Sequence, residues 1–285
     1  MNLLALTFAL GAALCWATDQ TLGKLALRWL DVSVFNAIRP SLMIPLLAIF
    51  GLATHSLSYP GLLLMSLAAL VGVISWFVAC ELYFYLMNKG AAHRVLPIGN
   101  SHPVWGVIAA VLLLGEEPTY LIFASAALVV IGGYFLMPKG GGTRTERRMI
   151  PLALLVAIMW GAVLAPMKFC FNEGMTEATF LLIAVGSAAV ACNIAMGIRH
   201  LRGGIRLDRK GLGISALSAF LAFFLGQLLF LRALKMEQAS VLAPIAGCVV
   251  PFGFLLSVLL LGERPSARAV IGMTAVFLGV LLAAI

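Results

Sequence analysis

The sequence predicts an all-α integral membrane protein of ten transmembrane helices, arranged as two inverted five-helix repeats. Three observations predict it. The 285 residues are 62% hydrophobic and only 11% charged, with a mean hydropathy of +1.08, where a soluble domain carries about 25% charged residues. Too few polar side chains exist to cover such a chain, so lipid must be its solvent. Apolar runs of the roughly 20 residues needed to cross a bilayer occur ten times, at about 3–28, 34–53, 61–87, 92–114, 119–137, 150–171, 176–198, 211–234, 239–261 and 266–284. Finally, residues 112–118 read LLLGEEP and residues 259–265 read LLLGERP, so the chain repeats itself at an offset of 147 residues.

Each span follows from local signals. The first begins without the basic stretch of a signal peptide and continues past Trp16, so it is a spanning helix rather than a cleaved leader. Tyr59-Pro60-Gly61 opens span 3, Gly115-Glu116-Glu117-Pro118 separates spans 4 and 5, Arg202-Gly203-Gly204 separates 7 and 8, and Gly262-Glu263-Arg264-Pro265 separates 9 and 10. The runs are helices because only helices satisfy their backbone within one segment in lipid, and they are too long for barrel strands. Residues 1–137 form the first repeat (spans 1–5), 138–149 (PKGGGTRTERRM) a cytoplasmic linker, and 150–285 the second repeat (spans 6–10). Trp16 and Lys24 of span 1 match Trp160 and Lys168 of span 6 at an offset of 144. Five spans is an odd number, so the second repeat enters the membrane from the opposite side.

The net charge of +8 lies in short breaks between apolar runs, which is the distribution of topology signals and not of a nucleic-acid surface. Breaks 1–2, 3–4, 5–6, 7–8 and 9–10 hold most of it, and the positive-inside rule then places both termini outside the cytoplasm of a bacterial inner membrane. Arg232 and Lys235 near break 8–9 are the exceptions. Five cysteines stand singly in apolar runs, without metal-ligand or disulfide spacing. No HExxH, Walker loop or nucleotide fingerprint occurs, so an enzyme is not expected.

Charges inside the hydrocarbon are costly and mark cavities, ion pairs or substrate paths. Asp19 and Lys24 in span 1, Arg39 in span 2 and Glu81 in span 3 all fall at a similar depth. They predict one cluster, with Glu81 paired to Arg39 or Lys24 and Asp19 lining the same cavity; internal ion pairing and a solvated substrate path both remain open. Glu81, Phe84, Tyr85 and Asn88 share one helical face by their spacing, which suits a cation or an amphipathic solute, although Tyr83 and Tyr85 also fit an interfacial aromatic belt. Span 4 carries Pro97, Asn100, His102 and Pro103, and span 9 carries Pro244 and Pro251. Paired broken helices in matching positions point to a central binding site. His102 reads as a proton carrier or a packing histidine. Trp160, Gln227 and Arg232 extend the path in the second half, with Gln227 the deepest, and Asn193 reads as glue between helices. Glu116 and Glu263 sit in tight turns and are expected to cap the N-terminus of the following span.

These features resemble the drug/metabolite transporter superfamily, in its ten-span EamA-type branch. The resemblance covers the whole chain and rests on the two five-span repeats, on Pro97 to Pro118 and Pro244 to Pro265, and on Leu14-Cys15-Trp16-Ala17 with Met159-Trp160-Gly161. It implies an alternating-access carrier whose cavity is lined by spans 3, 4, 8 and 9, while spans 1, 2, 6 and 7 move around them. The expected function is secondary transport, as export, of a small organic metabolite such as an amino acid, aromatic ones included. A lipid flippase and a facilitated uniporter or exchanger are the alternatives; a channel or scaffold fits less well. No cofactor or metal is expected, and the depth of Glu81 and Asp19 raises proton coupling as a hypothesis. The expected partners are a small-molecule metabolite and membrane lipid, with no nucleic acid, and a monomer suffices.

Overall fold

The fold was read from a computed structural model of the chain, which describes residues 2–91, 98–135, 144–261 and 266–284. Every regular element among them is helical. In chain order these are α1 (Leu3–Ala26), α2 (Val32–Ala53), α3 (Leu62–Lys89), α4 (His102–Leu114), α5 (Tyr120–Phe135), α6 (Arg144–Ala162, resuming after Val163 as Leu164–Asn172), α7 (Glu177–Gly203), α8 (Arg209–Met236), α9 (Ala239–Ala246, resuming as Val249–Leu261) and α10 (Ala267–Ala284). Seven are long and apolar enough to cross a membrane, and α4, α5 and α10 are shorter apolar helices. Pro97 and Glu263 lie outside the described residues, as do 138–143 of the expected linker. Its last residues are helical, since α6 already begins at Arg144.

Small residues decide how these helices meet. The buried face of α1 is Ala5, Ala9, Ala12, Ala13 and Ala17, which lets neighbours approach closely in lipid, where no hydrophobic force drives association. The repeats interlock by matched pairs: α5 packs on α10, α2 on α7, α4 on α6, and α1 on α8 and α9. At the α5–α10 contact Ser125 Oγ donates to the Gly279 carbonyl at 2.6 Å. A Cβ on Gly132 would lie 2.5 Å from the Gly272 oxygen, and one on Gly279 would lie 2.9 Å from the Ser125 oxygen. Gly132 matches Gly279, and Ser125 matches Gly272, at the 147-residue offset, so one contact is made twice across a pseudo-twofold axis. Asn193 Nδ2 donates to Ser41 Oγ at 2.8 Å, joining α7 to α2.

Two irregularities recur at that offset. Helices α3 and α8 each widen into π-helix, over Gly72–Ala79 and Phe220–Gly226. Helix α9 is interrupted at Gly247-Cys248, and α4 begins just after the matching turn, Asn100-Ser101. Pro103 and Pro251 stand in the first turns of the helices that follow these breaks, where a missing N–H costs little; Pro244 sits in the short helix before the second break.

Glu116 is a cap, but not of the next span. Its Oε1 accepts from the Ala239 N–H and its Oε2 from the Ser240 N–H, both at 2.9 Å. It therefore closes the N-terminus of α9 in the other repeat. Gly115, at φ 66°, ends α4 in a left-handed turn and aims the carboxylate across the interface.

Candidate functional site

A cavity of about 130 Å³ lies between the two repeats. Both π-helical stretches and both helix breaks border it, through Ser75 and Trp76, Ala222 and Phe223, Asn100 and His102, and Ala246 and Val249. Local underwinding explains which side chains reach it. The pairs Ser75/Trp76, Ala79/Cys80 and Tyr83/Phe84 are at least largely buried and recur every four residues. A regular helix of about 3.6 residues per turn drifts by about 40° over each such step; the π-helical turn absorbs that drift. Tyr83 is therefore fully buried in the cavity wall instead of belonging to an aromatic belt, and Tyr85 is 45% exposed on the outside.

The charged cluster exists with different partners from those expected. Arg39 is 2% exposed, and its Nη2 donates to Asp19 Oδ2 at 2.9 Å. Ser218 Oγ of α8 donates to Asp19 Oδ1. Arg39 Nη1 donates to Asn36 Oδ1 at 3.3 Å, and Asn36 Nδ2 donates to Glu81 Oε2 at 2.7 Å. Glu81 is thus one residue removed from the arginine and does not line the cavity. The guanidinium carbon lies 4.5 Å from the Phe35 ring centre, 5.0 Å from Phe84 and 4.9 Å from Phe223. Its charge is matched by one carboxylate and three aromatic faces drawn from both repeats.

A second network forms a ring of three side chains. Tyr83 Oη donates to Gln20 Oε1 at 2.8 Å, Gln20 Nε2 donates to Asn100 Oδ1 at 3.2 Å, and Asn100 Nδ2 donates to Tyr83 Oη at 3.2 Å. It ties α1, α3 and the break before α4 together. Trp160 Nε1 donates to the Ser75 carbonyl at 3.1 Å, a group that the π-helical segment turns toward α6.

Four other buried polar atoms on the lining have no hydrogen-bond partner: Trp16 Nε1, Arg39 Nε, His102 Nδ1 and Gln227 Oε1. Buried polar groups are normally paired, so these four are unsatisfied polar atoms on residues that border the cavity. Seven aromatic rings also face it, including Trp16, Trp76, Tyr83 and Phe230. Asp19 and Arg39 are the only Asp, Glu, Lys or Arg side chains on the lining among the described residues, and they pair with each other.

Of the residues singled out from sequence, Trp16, Asp19, Arg39, Phe84, Asn100, His102, Trp160 and Gln227 line this one cavity. Lys24, Tyr85 and Arg232 do not. Lys24 and Arg232 stand near helix ends and turn outward, as long basic side chains do at a membrane boundary. Lys24 is exposed, and Arg232 Nε pairs with Glu177 Oε1 at 3.2 Å. Lys168 bends back onto protein: its Nζ donates to the Leu234 and Glu237 carbonyls at 2.8 and 2.9 Å, closing the C-terminus of α8. Sequence reading passed over Gln20 and Ser75, and offered Tyr83 only as a belt residue. Gln20 carried a signal, being a polar residue beside Asp19 deep in an apolar run.

The chain matches the EamA-like transporter family over residues 3–137 and 147–285. It is 25% identical over 285 residues to an uncharacterized transporter of Archaeoglobus fulgidus, covering 98% of each protein. A solved crystal structure superposes on 98% of this chain and 96% of its own with a TM-score of 0.77 at 15% identity, a likeness that concerns the fold alone.

Proposed function

Since the chain belongs to the EamA-like transporter family, we propose that it carries a small amphipathic metabolite, neutral or zwitterionic, through the cavity between its repeats. The observation that carries this reading is the lining itself. Its one acid and one base cancel, seven aromatic rings supply apolar and π surface, and two donors (Trp16 Nε1, Arg39 Nε), one acceptor (Gln227 Oε1) and one imidazole nitrogen are unpartnered. A solute with net charge would be left without a counter-charge at that depth. An amino acid, aromatic ones included, meets the requirement: its carboxylate suits the donors, its ammonium suits Gln227 and its side chain suits the rings. A cavity of about 150 Å³ takes up benzene, so this one is of the size for one small ring or side chain.

The transport cycle we propose is alternating access, in the direction of export, with both termini outside the cytoplasm of an inner membrane and one chain forming the whole path. In a proton-coupled cycle Asp19 is the acid in position, because it borders the cavity while Glu81, bonded to Asn36, does not. Thermal unfolding of the purified protein against a panel of solutes tests the substrate reading. Zwitterionic and neutral aromatic solutes should raise the midpoint, and Trp16→Phe or Gln227→Leu should shrink that rise. Stabilisation by phosphorylated or other net-charged solutes alone would overturn it.

A further inference from the structure

The two repeats differ in how their first helices are held. Helix α6 is docked at two points: Trp160 Nε1 holds the Ser75 carbonyl of α3, and Lys168 Nζ holds the Leu234 and Glu237 carbonyls at the end of α8. Helix α1 carries the same two side chains at the 144-residue offset, Trp16 and Lys24, and neither is docked. Trp16 Nε1 is buried without a partner. Lys24 is exposed and forms no hydrogen bond or ion pair among the described residues. The carbonyls that would match those of α6 are nonetheless on hand. At the 147-residue offset Ser75 corresponds to Ala222, in the π-helical segment of α8, and Leu234 corresponds to Met87, at the end of α3. Trp16 already lies against that segment: a Cβ on Gly226 would sit 3.0 Å from its Nε1.

We propose that these tryptophan–lysine pairs are alternating latches, one for each state of the carrier. In the conformation described, Trp160 and Lys168 are closed. Lys168, together with Glu116 on the amides of Ala239 and Ser240, clasps the α8–α9 turn from both sides and seals that end of the molecule. In the opposite conformation Trp16 closes on the Ala222 carbonyl and Lys24 on the Met87 carbonyl, while Trp160 and Lys168 let go. A lysine ammonium against the last carbonyls of a helix gains from charge-assisted hydrogen bonds and from the helix dipole, so a closed latch stabilises the state in which it is closed. Because the repeats are inverted, removing one lysine must bias the protein in the direction opposite to removing the other. The proposal rests on the alternating-access reading above, but its test needs no substrate.

The test uses Cys80, which lines the cavity, as the one cysteine left in the chain, with Cys15, Cys170, Cys192 and Cys248 changed to alanine. Its labelling rate by a membrane-impermeant thiol reagent is measured from each face in sealed vesicles of known orientation. Lys168→Met should raise labelling through the end that holds the α8–α9 turn, relative to the other end, by about tenfold, equivalent to about 1.4 kcal/mol. Lys24→Met should shift the ratio toward the other end, although Lys24 makes no hydrogen bond or ion pair among the described residues in the present state. A purely structural role for the lysines predicts no shift from Lys24→Met. No shift in that variant, or shifts of the same sign in both, would overturn the latch. Trp16→Phe is expected to follow Lys24→Met and keeps the test decisive where Lys168→Met does not fold. A failed ratio test beside intact solute flux rejects the latch alone, whereas opposite shifts without flux of any solute reject the carrier reading.

Discussion

Neutralising Asp19 leaves a full positive charge buried without its counter-ion. Arg39 is 2% exposed and has one carboxylate partner, at 2.9 Å. Breaking a buried ion pair by removing one member costs about 3–5 kcal/mol. In Asp19→Asn the carboxamide still accepts from Nη2 and the three aromatic faces are unchanged, so the lower end, about 3 kcal/mol, is expected. Removing both charges is a different perturbation. Apolar replacement of a buried pair is neutral or stabilising by about 1–4 kcal/mol, so Asp19→Leu/Arg39→Met should be close to wild type in stability. The coupling energy from the double-mutant cycle should therefore be at least about 2 kcal/mol. The assay is reversible unfolding in mixed micelles, followed by helical circular dichroism, on wild type, Asp19→Leu, Arg39→Met and the double, with Asp19→Asn measured alongside. Single variants that each lose less than about 1 kcal/mol and add within about 0.5 kcal/mol would refute the reasoning, because the pair would then be solvated and not the closed unit that the geometry describes.

Other outcomes follow from the packing and the caps. Gly132→Val and Gly279→Val should each lower the unfolding midpoint by overpacking the α5–α10 contact, at a cost of about 1–3 kcal/mol, while Gly186→Ala, inside α7 where an added Cβ meets nothing within 4 Å, should raise it slightly, by about 0.4–1 kcal/mol of helix propensity. Glu116→Ala uncaps α9 and should cost about 1–2 kcal/mol, read as faster amide exchange at Ala239 and Ser240. Tyr85→Phe, on the outer face, should leave solute binding at wild-type affinity in a titration.

Part of this architecture could be read from the chain because its signals are local. Two proline-marked spans ending in LLLGE and a proline reveal the repeat, and the breaks at Asn100-Ser101 and Gly247-Cys248 follow from prolines and glycines nearby. The π-helical turns carry no such mark. They shift the buried face of α3 by one position, bringing Tyr83 inward and leaving Tyr85 outside, which a regular helical periodicity cannot anticipate. The choice of ion-pair partners was equally out of reach. Depth along a span correctly brings Asp19, Arg39 and Glu81 to one level, but only packing decides that Arg39 meets Asp19 while Asn36 takes Glu81. Lys24 and Lys168 show the same limit: one repeat motif gives an exposed side chain in one half and a helix cap in the other, because the conformation breaks the symmetry that the sequence carries. The reach of Glu116 to α9 is likewise a property of the interlocked repeats and not of the turn it stands in.

The most direct test of the central claim, that solute crosses through the cavity between the repeats, is counterflow in proteoliposomes. Wild type would be compared with Gln227→Leu, which removes the unpartnered acceptor, and with Arg232→Gln, which lies off the lining. The account predicts counterflow of a neutral or zwitterionic solute that falls about tenfold with Gln227→Leu, the effect of losing one buried hydrogen bond of about 1–1.5 kcal/mol, and is unchanged with Arg232→Gln. Counterflow that ignores Gln227 but collapses with Arg232→Gln would contradict it, placing the path on the outer faces of the helices instead of between the repeats.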